Sequence, residues 1–187
     1  MNTHATAEVQ ERLLKDRIIF LGVPIDETAA NHVIAKILFL VEADRSSPIM
    51  LYVNSPGGSI PPSFGIIDAI GQSPAPVTTV CLSKAFGTAA MIVAHGSKGC
   101  RFALPEAVFG LVPLRMHGRG LRTREEDEHF SDIEKLVTHR LAEDTGQSPA
   151  VVRRDMRAAL RLDAQQALNY GFIDGILNSP TRTSAQG

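Results

Sequence analysis

The chain has 187 residues, enough for one domain or one domain with an appendage, and its 44% hydrophobic content suits a soluble fold with a real core. With 19 basic and 20 acidic residues the formal net charge is −1, so composition gives no support to a nucleic-acid or membrane partner. No apolar run approaches the roughly 20 residues of a bilayer span. The N-terminal MNTHATAEVQERLLKDR is polar rather than a secretory signal, so the expected compartment is the cytoplasm.

In chain order, residues 1–10 read as loosely ordered and Glu11–Lys15 as a short helix before a strand, Arg17–Leu21. Gly22 and Pro24 break that strand, and Asp26 is placed to cap a helix with Ala30, Val33, Ile34, Ile37, Leu38 and Val41 on its apolar face. A second strand, Ile49–Val53, runs into the turn Asn54-Ser55-Pro56-Gly57-Gly58-Ser59. Pro61 and Pro62 suit the first turn of a helix carrying Phe64, Ile66, Ile67 and Ile70, which ends before Pro74 and Pro76.

The third strand, Val77–Leu82, meets a short polar break at Ser83-Lys84, and Phe86–His95 is then apolar on every side, as in a helix buried all round. A strand turning sharply into a buried helix is the geometry that presents a nucleophile in many hydrolases, with free N–H groups at the helix start. The residue at the tip of this elbow is Gly87. Gly96 and Gly99 close the helix, and Arg101–Leu104 and Val108–Leu114 read as strands. This alternation predicts crossovers of the βαβ type and mostly parallel pairing.

The pattern changes at Arg115. Met116–Arg122 is basic and glycine-containing, and Thr123-Arg124-Glu125-Glu126 is a capping-box signature opening a long helix to about Asp144, with Phe130, Ile133, Leu136, Val137 and Leu141 in one stripe. Gly146 ends it, Ser148-Pro149 and Asp163-Ala164-Gln165-Gln166 start two further helices, and Phe172–Leu177 is a last strand before a polar tail, 178–187, that reads as disordered. Cys81 and Cys100 sit in apolar contexts and read as reduced core residues. His95 reads as a helix C-cap, and His117, His129 and His139 lack metal-ligand spacing, so no metal and no cofactor is expected.

The ordered strings RIIFLGVPID, LYVNSPGGS, VCLSKAFGTAA, KGCRFALP, EDTGQS and NYGFIDGIL resemble the Clp protease proteolytic subunit (ClpP) family from Arg12 to Leu177. The resemblance implies an α/β fold of the ClpP/crotonase type, built from repeated ββα units in one domain over 1–187, with a protruding handle at about 115–145. It also implies stacked heptameric rings enclosing a chamber of serine-protease sites, and an AAA+ Clp chaperone that docks outside and feeds chains in.

Carried over residue by residue, the family's catalytic triad is missing. The serine position falls on Gly87, the histidine position on Val112 (or Leu111, depending on the anchor) and the orienting aspartate on Ala159, although a nearby aspartate is kept as Asp155. None of these side chains can attack a carbonyl, take a proton or orient a base, so the chain resembles a degenerate, ClpR-like paralogue. The family's oxyanion donors map to the N–H groups of Gly58 and Thr88. That pair reads either as a remnant hole still able to bind a carbonyl or as a glycine turn kept for folding. Ser83, Lys84, Thr88 and His95 are the candidates for relocated chemistry, and none is spaced to form a working pair.

The family's chaperone pocket maps to Met50, Tyr52, Gln72, Val80, Leu82, Phe102, Leu104 and Leu177, which read equally well as the core face of a sheet. The basic handle segment, with Arg115, Arg119 and Arg122, and the Arg157-Ala158 pair would repel between identical copies, and mixed rings with an active, more acidic paralogue relieve that. The expected function is therefore a structural or regulatory subunit of an ATP-dependent Clp serine peptidase complex. The alternatives are an inactive homo-oligomer with a separate binding role, or a peptidase or acyl-transfer enzyme with relocated residues.

Overall fold

The computed structural model describes residues 3–114 and 123–177, with side chains from Glu8 onward. Helix α1 (Thr3–Lys15) leads into β1 (Ile18–Leu21), then α2 (Glu27–Ala43), β2 (Ile49–Ser55), α3 (Ile60–Gly71), β3 (Val77–Phe86) and α4 (Thr88–Ala94). The short strands β4 (Arg101–Ala103) and β5 (Val108–Gly110) precede α5 (Arg124–Thr145), α6 (Pro149–Arg157), β6 (Arg161–Leu162), α7 (Ala164–Tyr170) and β7 (Gly175–Ile176). The basic segment Arg115–Arg122, with His117, and the tail 178–187 lie outside the described residues.

The sheet runs β1-β2-β3-β4-β7 with every pair parallel, as the alternation of strands and helices predicts. β5 adds in parallel to the far end of β3, and β6 pairs antiparallel with β5. Strand alternation sorts β2 cleanly: Ile49, Leu51, Val53 and Ser55 are buried, while Met50, Tyr52 and Asn54 are only half-buried. Ile49, Leu51 and Val53 join one core with Ala30, Val33, Ile37 and Leu40 of α2, Ile66 and Ile67 of α3, and Ala89 to Ala94 of α4.

Local chemistry sets most boundaries as the sequence indicates. Asp26 accepts from the Ala29 N–H at 2.8 Å, and Thr123 with Glu126 closes the capping box of α5. Ser148 caps α6, Asp163 with Gln166 boxes α7, and Gly146 and Gly171 end their helices with left-handed backbone. Both cysteines are free, and burial pushes the Cys81 thiol up to about 12.

Several expectations are corrected. The N-terminal helix starts at Thr3, not Glu11. Ser83-Lys84 is no break: β3 continues to Phe86, because Lys84–Phe86 ladder with Val108–Gly110 on one side and Ala85 pairs with Ser55 on the other. Those two side chains are exposed while their backbone stays in the sheet, so polarity marks an exposed strand end rather than its stop. α4 accordingly starts at Thr88, after Phe86. Leu38 is 59% exposed and Leu40, a residue absent from the predicted stripe, is buried; Leu136 is likewise exposed on α5. The expected strands Val108–Leu114 and Phe172–Leu177 shorten to three and two residues, and β6 is an element the sequence pattern does not announce.

Candidate functional site

The site lies where the parallel strands β2, β3 and β5 end, the usual position for a ligand crevice in an α/β sheet. β3 delivers the chain to Gly87, whose N–H donates to the Gly110 carbonyl at 2.8 Å, and α4 starts one residue later. Gly87 has φ 53° and ψ −120°, a backbone shape that L side chains rarely adopt. The strained turn of a nucleophile elbow is therefore present and occupied by a residue with no side chain.

The two glycines of the β2–α3 turn are required by contact. A Cβ on Gly57, at φ 84°, would lie 2.3 Å from the Phe86 carbonyl oxygen, and one on Gly58 would lie 2.1 Å from the Ile25 carbonyl oxygen. Ile25 N–H donates to the Gly57 carbonyl at 3.0 Å and Ser59 N–H to the Ile25 carbonyl at 2.8 Å, which pins the turn against the strand-to-helix junction. Ser55 Oγ donates to the Val23 carbonyl at 2.7 Å and accepts from Gly57 N–H at 3.1 Å.

A cleft of about 910 Å³ opens beside this junction. Gly87, Val112 and Ala159, the three positions at which the triad is expected, all line it, together with Leu111, Gly58 and Thr88. They come from the elbow, the segment after β5 and the end of α6, so the fold does assemble the three positions. The deeper wall is apolar: Met91 from α4, Ile133, Val137 and Leu141 from α5, and Met156 from α6.

The two candidates for the histidine position behave differently. Leu111 is buried, its N–H donating to the Leu160 carbonyl at 2.9 Å. Val112 is 41% exposed, and its Cγ2 lies 2.8 Å from where a Cβ on residue 87 would sit. Ala159 holds φ 51°, one of two described non-glycine residues with positive φ. The retained Asp155 does not line the cleft; it accepts from Arg154 Nε at 2.7 Å and from the Tyr170 hydroxyl at 3.1 Å. Burial, with that hydrogen bond behind it, raises the Tyr170 pKa.

Thr88, expected from the resemblance to be the second oxyanion donor, is buried, and its Oγ1 accepts from the Gly58 N–H at 3.1 Å. Ser83 and Lys84 are neighbours on β3 where its register with β2 shifts, both are exposed, and neither lines the cleft. His95 is the C-cap of α4, as expected, and its Nδ1 lies 3.0 and 3.1 Å from the two carboxylate oxygens of Asp144, away from the cleft. Pattern reading missed His129, which lines the cleft from α5, because sequence spacing does not reveal which way the exposed first turns of a helix lean. Among the described residues no group of three or more His, Cys, Asp or Glu could hold a metal ion.

Of the eight chaperone-pocket positions, Met50, Tyr52, Val80 and Phe102 fall on the sheet face opposite α2–α4, in register: Tyr52 pairs with Val80, and Val80 with Phe102. Leu82 and Leu104 continue the alternation on that face, half-buried, and Leu177 follows β7, exposed. Phe20, not among the predicted positions, extends the row beside Tyr52 and is 49% exposed. Gln72 departs from the set: it is the exposed C-cap of α3 and belongs to no strand.

A family model described as Clp protease matches residues 2–180. An ATP-dependent Clp protease proteolytic subunit of Streptococcus pneumoniae (strain 70585) is 38% identical over 175 residues, covering 91% of this chain and 89% of that protein. The protein of the same name from Streptococcus sanguinis (strain SK36) is 36% identical over 177 residues, covering 92% of this chain and 90% of its own. With its parallel sheet, its strand-to-helix elbow and its paired turn glycines, and with matches that span nearly its whole length, this chain belongs to the Clp protease family.

Proposed function

We propose that this chain is a non-catalytic subunit of an ATP-dependent Clp peptidase complex, contributing wall and contacts to a mixed ring in which an active paralogue supplies the nucleophiles. One observation carries the reading: Gly87, Val112 and Ala159 converge on a single cleft, and none of the three can act as nucleophile, base or orienting acid. In this reading the chain is one Clp-type domain, with its handle at about 115–145, and the complex works in the cytoplasm. The apolar row Tyr52–Val80–Phe102, half-buried at Tyr52 and Phe102 and fully buried at Val80 between them, supports docking of an AAA+ chaperone on that sheet face.

The nearby alternatives for relocated chemistry are poorly served. Ser83 and Lys84 are exposed and do not line the cleft, Cys81 is buried with its thiol held protonated at neutral pH, and His95 is engaged by Asp144. A homo-oligomer with a binding role draws support from one contact. Arg157 Nη2 lies 3.3 Å from Glu134 Oε1, so a charge that would repel its counterpart in a ring of identical copies is paired within the chain.

Co-expression with an active paralogue, followed by native mass spectrometry of the purified complex, tests the proposal. A mixed ring of fixed stoichiometry is expected. A stable tetradecamer of this chain alone at moderate salt, with no paralogue incorporated, would replace the mixed ring by the homo-oligomer.

A further inference from the structure

We propose that Thr88 is a specificity-determining residue that closes the hole from inside: its hydroxyl occupies the Gly58 amide, so the cleft does not hold a peptide carbonyl there. The inference rests on reading the cleft as a site without a nucleophile, and it adds what that cleft refuses.

At an elbow of this kind a carbonyl oxygen is held by two N–H groups, one from the residue after the turn and one from a neighbouring loop. The family resemblance maps those groups to Thr88 and Gly58, which both line the cleft. The Gly58 N–H is already donated to Thr88 Oγ1 at 3.1 Å. Thr88 is only 5% exposed, so a ligand carbonyl must break a hydrogen bond made inside the protein and leave a buried hydroxyl to find another partner. That exchange gains little, whereas an aliphatic side chain at position 88 would leave the Gly58 N–H free to face the ligand.

A second contact acts in the same direction. The Val112 Cγ2 lies 2.8 Å from the Cβ position of residue 87, so it fills the space directly in front of the elbow. The apolar wall of Ile133, Val137 and Met156 stays open to the cleft. The site thus accepts an apolar side chain while rejecting the main-chain carbonyl that a substrate would present.

The test uses the full chain, isotope-labelled for amide NMR, with acetyl-Leu-Leu-Leu-amide as a probe that carries no electrophile. In the wild type the Gly58 amide should exchange slowly and keep its shift when the peptide is added. In Thr88→Val it should exchange about tenfold faster, the factor carried by one net hydrogen bond, and should shift with peptide. Thr88→Ser should behave as wild type. The amides of Ile25 and Gly87, bonded to Gly57 and Gly110, report whether each variant keeps the local fold. Equal Gly58 exchange in wild type and Thr88→Val, a Gly58 amide unmoved by peptide in Thr88→Val, or a wild-type Gly58 amide that shifts with peptide would each overturn the proposal. Should Thr88→Val not fold, the wild-type titration alone still decides. Reaction of the wild type with a serine-directed probe would instead refute the absence of a nucleophile, so the two failures are distinct.

Discussion

Helix α4 has seven residues, and its two ends are built differently. At the C-terminal end, polar groups converge and are satisfied. The Arg101 guanidinium, almost fully buried, donates to the carbonyls of Ala94, Asp144 and Gly171 and to the Asp174 carboxylate, so the ends of α4, α5 and α7 share one cation. His95 binds Asp144 beside it, and Lys98 Nζ donates to the Asp144 carbonyl at 2.6 Å. Cations suit the negative ends of helix dipoles. At the N-terminal end, glycines and backbone hydrogen bonds hold the elbow, while Gly87, Val112 and Ala159, to which the resemblance carries the triad, are aliphatic or bare. The comparison teaches that the forces shaping this fold do not pass through the triad side chains.

The largest expected effect breaks the polar end. Arg101→Ala removes the guanidinium from the Asp174 carboxylate and from the Ala94, Asp144 and Gly171 carbonyls, leaving Asp174 only backbone N–H partners, and should cost about 3–5 kcal/mol in denaturant titration. At the other end, Gly58→Ala drives a methyl into the Ile25 backbone, which cannot rotate away, and should cost about 1–3 kcal/mol on the same assay. Gly87→Ser should cost about 1–2 kcal/mol, because a side chain there must accept positive φ and displace Val112. It should also show no turnover of a fluorogenic peptide, since positions 112 and 159 supply neither a base nor an orienting acid to the new hydroxyl. Far from both ends, Thr123→Ala removes one half of the α5 capping box and should cost about 1 kcal/mol, read from the melting temperature.

The smallest effect is one of pH. Hydrogen bonds from Arg101 hold the Asp174 carboxyl below its usual value of 3.8. Its contribution to stability is therefore complete above the unfolded-state value and lost as pH falls through the lower folded-state value. Stability should decline below about pH 4 in the wild type, and less steeply in Asp174→Asn, as followed by circular dichroism. Equal slopes would remove Asp174 from the account of the polar end.

Much of this was legible from residue order. Caps, glycine stops, the parallel alternation and the convergence of Gly87, Val112 and Ala159 follow from local signals or from the family resemblance. What the sequence hid depends on contacts between segments far apart in the chain. Ser83-Lys84 reads as a break because its strand partner, Val108–Gly110, lies more than twenty residues on. Arg101 reads as one more strand residue, although its partners are spread from Ala94 to Asp174. The Thr88–Gly58 hydrogen bond joins residues thirty apart, and no periodicity announces it. Leu38 and Leu40 exchange roles because a 17-residue helix rotates its apolar face by amounts that a short stripe does not fix.

The central claim is that the elbow carries no nucleophile, and labelling with a serine-reactive fluorophosphonate tests it most directly. Intact-mass analysis of the purified chain should show no adduct after prolonged incubation, while an active family member treated alongside is modified. A stoichiometric adduct that disappears in Ser83→Ala, or in any other single serine or threonine variant, would contradict the claim and restore the chain to the catalytic members of its family.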